Sequence, residues 1–140
     1  MRKKKRKKNL WRIILILFFG ILIFAGTSII SSRNRLVDIN IKDVEYVEII
    51  ANKNDVMQTI KNSREIKDII GILNRLRGKI SNRDSSADVI NYINVYLNSG
   101  KKIEFVKSGQ ILRVDNKWYV LNRRNSDLLE KIIKKYELNK

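Results

Sequence analysis

The feature that most constrains this chain is an uncharged stretch of eighteen residues, IILILFFGILIFAGTSII, at positions 13–30. As a helix it measures roughly 27 Å, about the hydrocarbon thickness of a bilayer. Every helical face of it is apolar, the pattern of a helix solvated by lipid on all sides. Ahead of it, MRKKKRKKNLWR (1–12) carries eight basic residues and no acid, with Trp11 at the junction, where an indole favours the headgroup layer. The pattern predicts a basic cytoplasmic tail over 1–12, a transmembrane signal-anchor over 13–30, and everything after it outside the membrane by the positive-inside rule. Read alone, KKKRKK also matches a nuclear or nucleic-acid patch. Next to a hydrophobic span its topological role takes precedence, and no nucleic-acid partner is expected. The run is longer than the ~7–15 residues of a cleaved signal peptide. Its nearest small-residue site, Ala25-Gly26-Thr27, ends in Thr. A retained anchor is therefore expected. Gly20 and Gly26 do not have the GxxxG spacing of a helix-dimerisation face.

Charge and composition exclude much of the rest. The chain carries +16 overall, but positions 13–140 hold 22 basic and 14 acidic residues, so half of the excess belongs to the tail. Cysteine and histidine are both absent. That removes disulfides, thiol nucleophiles and iron–sulfur clusters, the commonest general base and the commonest zinc ligand.

Beyond a polar spacer at 31–43, the chain reads as short β-type runs interrupted by two helical patterns. VEYVEIIA (44–51) and DVMQTIK (55–61) flank a turn at 52–54 and predict two strands. Asn62 and Ser63 can cap a helix, with Glu65 three residues after Asn62 at capping-box spacing. Ile66, Ile69, Ile70, Leu73 and Leu76 form its apolar stripe, and Gly78 is its expected stop. KISNRDSSAD (79–88) reads as a loop. VINYINVYLN (89–98), KKIEFVK (101–107), QILRVD (110–115) and WYVLN (118–122) alternate strictly and are separated by short turns, the signature of an antiparallel meander. A last helix, with a cap near Ser126, presents Leu128, Leu129, Ile132, Ile133 and Tyr136. The order ββ-α-ββββ-α predicts an α+β domain over 44–140, its antiparallel sheet covered on one face by two helices.

Chemistry is sparse. Asp38, Asp43, Glu45 and Glu48 are the densest acids but follow no metal-loop spacing, and solvated strand-edge charges explain them. Ser99 and Lys102 match Ser-x-x-Lys, yet the match falls in a hairpin turn rather than on one helical face. Glu104 alternates with Ile103 and Phe105 and points away from the core, which leaves no acid in an apolar pocket for glycoside hydrolysis. The six glycines are scattered and form no phosphate loop. Neither an enzyme nor a metal or organic cofactor is expected.

Binding is the remaining class. If Ile93, Val95, Leu97, Ile103, Phe105, Leu112, Val114, Tyr119 and Leu121 face the helices, alternation puts Tyr92, Asn94, Tyr96, Lys102, Glu104, Arg113 and Trp118 on the other face. Tyr92, Tyr96, Arg113 and Trp118 are the candidate binding residues. Aromatics beside cations suit stacking on sugars or gripping an anionic polymer or peptide, the latter in a salt-sensitive way. Strand propensity alone also explains Tyr and Trp at these positions.

The basic tail and span, the Val44-x-x-Val47-Glu48-Ile49 strand, the helix REIKDIIGILNRL and the hairpin from Ile111 to Tyr119 together resemble a family. It comprises small membrane-anchored extracytoplasmic domains of unknown function in low-G+C Gram-positive bacteria. The likeness covers most of residues 44–136 and implies a fold and a location, not a site. The tail, the span and VEYVEI followed by a helix are also similar to cell-division proteins of the FtsQ/DivIB type, from which the extra strand before the helix departs. The expected function is that of a non-enzymatic single-pass membrane protein whose outer domain binds or senses an envelope component, peptide or protein. The alternative is a bacteriocin-immunity or cell-division accessory protein that acts through contacts with other membrane proteins.

Overall fold

Apolar residues spaced for one helical face, and others spaced for one strand face, set the architecture. The structure, a computed structural model, describes residues 16–17, 35–51, 56–82 and 90–137. The chain divides into two units, Met1–Asn34 and Arg35–Lys140. In the first, Ile16 and Leu17 are helical and exposed. The rest of the expected span, the basic tail and the Ala25-Gly26-Thr27 site lie outside the described residues. Among the described residues no helix is long and apolar enough to cross a membrane.

The second unit is an α+β domain with a seven-stranded antiparallel sheet and two helices. In chain order it runs β1 (Val44–Ala51), β2 (Val56–Ile60), α1 (Ser63–Leu73), β3 (Gly78–Ile80), β4 (Asn91–Leu97), β5 (Lys102–Ser108), β6 (Ile111–Val114), β7 (Lys117–Leu121) and α2 (Arg123–Glu137). The spatial order is β2-β1-β4-β5-β6-β7-β3. The expected meander is β4 to β7. Two of its tight turns place glycine where the backbone needs positive φ, Gly100 at +78° and Gly109 at +56°. Asp115, at +50°, makes the third, and its carboxylate accepts the Glu104 amide at 3.0 Å.

Four expectations are corrected. The loop at 79–88 begins with strand β3, which pairs with β7 at the sheet edge. Its one large apolar residue, Ile80, is 78% exposed, so no hydrophobic alternation marks it in sequence. Gly78 does not terminate α1. The helix ends at Leu73 with Asn74 as its C-cap, and Gly78 lies on β3 because a Cβ there would come within 3.1 Å of Tyr119 Cβ and Val120 O. The second helix is capped not near Ser126 but at Asn122, whose side-chain oxygen accepts the Asn125 amide at 2.9 Å. Ser126 is buried inside the helix and donates to the Gly109 carbonyl at 3.0 Å. Finally, residues 35–43, expected as spacer, belong to the compact unit. Ile39 is 6% exposed, and the Asn74 side chain both accepts from its N–H and donates to its C=O, each at 2.8 Å. Asn40 caps a 3-10 turn at Ile41–Asp43.

A single core cluster joins Val47, Ile49, Ile93, Val95, Phe105, Leu112, Val114 and Leu121 of the sheet to Ile66, Ile69, Ile70 and Leu73 of α1. Leu129, Ile132, Ile133 and Tyr136 of α2 belong to it as well. The capping box at α1 is half realised. Asn62 accepts from the Arg64 and Glu65 amides at 2.9 and 3.3 Å. Glu65 instead reaches across to α2, where it accepts from the buried Tyr136 hydroxyl at 3.0 Å. Burial first, then this carboxylate, raises the Tyr136 pKa.

Candidate functional site

Because side chains alternate across a strand, fixing the core face fixes the other face as well. Cross-strand register carries the argument over the whole sheet. Tyr46 lies opposite Tyr96, Glu48 opposite Asn94, and Ile50 opposite Tyr92. Asn94 in turn faces Glu104, Tyr96 faces Lys102, and Tyr92 faces Val106. Val106 then faces Arg113, and Arg113 faces Trp118. Tyr92, Tyr96, Arg113 and Trp118 therefore share the face turned away from the helix-packed core. Tyr92, Tyr96 and Trp118 are each half-buried.

The side chains on this face are held in place by one another. The Tyr46 and Tyr96 rings stack with centroids 4.4 Å apart and planes 16° from parallel, a cross-strand aromatic pair. The Tyr96 hydroxyl is hydrogen-bonded to Glu48, and that bond, with desolvation and the same carboxylate's charge, pushes its pKa up to about 12. Arg113 places its Cζ 5.6 Å from the centre of the Trp118 ring. Its Nη2 also pairs with Glu104 Oε1 at 2.7 Å, while Lys102 Nζ takes Glu104 Oε2 at 3.1 Å.

This arrangement changes the electrostatic reading. Lys79 lies on this face at its β3 edge; in the inner strands two cations, Lys102 and Arg113, meet two carboxylates, Glu48 and Glu104, so that cluster is close to neutral. Both of these inner cations are committed to Glu104. A grip on an anionic polymer would have to break these pairs, so the geometry does not favour it.

Among the described residues three buried side-chain atoms have no hydrogen-bond partner, namely Asn94 Oδ1, Ser108 Oγ and Arg113 Nε. By register all three belong to this same face. Asn94 is 6% exposed and Ser108 3%. Buried polar atoms in folded proteins almost always find partners, so three orphans on one face mark unused hydrogen-bonding capacity: an acceptor at Asn94 Oδ1, a donor and an acceptor at Ser108 Oγ, and a donor at Arg113 Nε.

The other sequence candidates do not converge. Ser99 sits in the β4–β5 turn, accepting weakly from the Lys101 amide at 3.5 Å, while Lys102 points to Glu104. Among the described residues no group of three or more His, Cys, Asp or Glu side chains is placed to hold a metal ion. Tyr46 and Glu48 were missed as members of the face. The alternation of β1 is legible in its sequence, but its place beside β4 comes from sheet order, which no local pattern encodes. Searches against known family models, curated proteins and solved structures find no match to this chain.

Proposed function

We propose that residues 13–30 hold the chain in the cell membrane, with the basic tail cytoplasmic and the Arg35–Lys140 unit outside. The outer unit acts as a non-enzymatic binding or sensing domain, and the sheet face turned away from the helices takes an uncharged envelope component rich in hydroxyl or amide groups. The observation that carries this reading is the coincidence of Asn94 Oδ1, Ser108 Oγ and Arg113 Nε, all without partners, with Trp118 and the Tyr46–Tyr96 stack on one charge-compensated face. Flat aromatic surfaces take the apolar faces of a sugar or peptide while polar atoms beside them fix its orientation.

Anchoring and recognition are tested separately. Full-length protein should stay with membranes through an alkaline carbonate wash, and a reporter active only outside the cytoplasm should be active when fused after Lys140. Release by carbonate, or an active cytoplasmic reporter at that position, would overturn the anchor or its orientation. Recognition is tested by titrating full-length protein in zwitterionic micelles with a panel of neutral oligosaccharides and neutral peptides. Trp118→Ala and Asn94→Ala should each weaken capture at least tenfold, and capture should survive about 0.5 M salt, where charge contacts are screened within a few ångströms. Salt-sensitive capture, or wild-type affinity in both variants, would remove this face as the site. Exchanging residues 1–30 for an unrelated anchor should leave capture intact; loss of function on that exchange would favour the reading in which the span itself contacts other membrane proteins.

A further inference from the structure

On the helix side of the domain, α1, α2 and the 3-10 turn before β1 enclose a groove of about 760 Å³, within the ~300–1,000 Å³ typical of small-ligand clefts. We propose that this groove holds the headgroup of an anionic phospholipid. The proposal rests on the membrane-anchored reading above and adds a ligand that the sheet face does not address.

Charge is the first argument. Lys67, Arg75 and Lys131 line the groove and are exposed. Unlike Lys135, which is held by Glu65 at 3.4 Å and by the Tyr136 hydroxyl at 3.3 Å, these three make no ion pair among the described residues. One acid, Asp68, lines the groove with them. Three uncommitted cations around a concave surface concentrate anions there, the opposite of the compensated sheet face.

Gly71 is the second argument. It lies inside α1, where glycine costs roughly 0.5–1 kcal/mol relative to alanine. Packing does not require it, since a Cβ at this position would meet nothing within 4 Å. Its φ lies in the range open to any residue, so no turn requires it either. What the missing side chain does is leave bare backbone on the wall of the groove. Ile132 also lines the groove, and Ile41, 37% exposed, stands at its lip. An apolar lip beside cations suits a ligand that is charged at one end and greasy at the other.

The size and place of the groove select the occupant. From Lys67 to the end of α1 at Leu73 is six residues, about 9 Å of helix, with Arg75 two residues beyond, long enough for a lipid headgroup but short for an acidic protein segment. In sequence, four residues (31–34) separate the apolar stretch from Arg35, a tether of no more than about 18 Å when fully extended. Tethered that closely, the domain would meet lipid headgroups at high effective concentration.

The absence of cysteine makes the test clean. Full-length Asp68→Cys protein, labelled with an environment-sensitive fluorophore and held in zwitterionic micelles, is titrated with short-chain phosphatidylglycerol. Short-chain phosphatidylcholine, glycerol phosphate and an acidic peptide serve as comparisons, and a label at Ser99→Cys, in the β4–β5 turn, as the remote control. A saturable change at position 68 alone, with phosphatidylglycerol alone, is expected. The triple variant Lys67→Ala, Arg75→Ala, Lys131→Ala should weaken it at least tenfold. Gly71→Leu should abolish it while the thermal midpoint holds or rises, because leucine is the better helix former. A ligand site and a packing defect are thereby told apart. Equal response to phosphatidylcholine, saturation by glycerol phosphate or by the acidic peptide, or unchanged affinity in Gly71→Leu would each overturn the proposal. The lipid is delivered in micelles, so failure here leaves the anchor untouched, and failure of the carbonate test leaves this result standing.

Discussion

Replacing Ile69 by alanine should lower the stability of the Arg35–Lys140 unit by about 2–5 kcal/mol, one of the two largest effects expected from a single substitution in this chain. Ile69 is 2% exposed and sits in the middle of the α1 stripe, against the core face of the sheet. Its truncation loses the transfer free energy of three carbon groups and leaves a cavity that the neighbouring Ile66, Ile70 and Leu73 cannot close without leaving their own sites. In a domain of roughly 100 residues each 1 kcal/mol moves the thermal midpoint by about 4–8 °C, so a fall of at least 8 °C is expected. Urea unfolding should show a lower midpoint with an unchanged slope, as expected when stability changes but the surface exposed on unfolding does not. A loss below about 1 kcal/mol would mean that α1 is not docked as described. Trp118→Ala should cost much less, since that indole is half-buried and packs on the Arg113 guanidinium rather than in the core.

The elements that sequence reading located well are those whose periodicity reports burial directly. In α1 the spacing of Ile66, Ile69, Ile70 and Leu73 is the core contact itself. In the meander β4 to β7, each turn announces itself by glycine or by a short polar pair, and alternation assigns a face to every residue between. Parity alone therefore placed Tyr92, Tyr96, Arg113 and Trp118 together. Strand β3 was illegible for the same physical reason. It is three residues long, buries almost nothing, and forms because β7 offers it an unpaired edge, with Gly78 admitted by the close approach of Tyr119. The docking of residues 35–43 was hidden because its contacts are long-range: the Asn74 side chain reaches back 35 residues to Ile39, the Leu36 amide donates to the Leu76 carbonyl, and Asn98 reaches the Lys42 carbonyl. Charge was misjudged on the sheet face because composition counts Lys102 and Arg113 without showing that one carboxylate, Glu104, satisfies both. The same count overlooked the helix side, where Lys67, Arg75 and Lys131 have no such partner among the described residues.

Parity also puts a charge where no hydrophobic pattern would, and the other large effect is expected there. Lys107 follows Phe105 by two residues on β5 and so faces the helices, with its side chain 5% exposed. Its ammonium reaches Glu130 Oε2 on α2 at 2.7 Å. Removing a buried cation from water costs several kcal/mol, which a close, well-oriented carboxylate offsets only while it is present. Glu130→Ala should therefore destabilise the domain by about 2–4 kcal/mol, somewhat below the ~3–5 kcal/mol of a fully buried pair, because Glu130 is itself 39% exposed and water can reach the site. Lys107→Met, which removes the charge and keeps the length, should change stability by no more than about 1 kcal/mol in either direction. The double variant should then recover most of what Glu130→Ala loses, a coupling that a thermodynamic cycle measured in urea would show directly. If Lys107→Met costs as much as Glu130→Ala, the pair contributes net stability. If neither substitution costs more than about 0.5 kcal/mol, the ammonium reaches water by another route and the pair behaves as a surface contact.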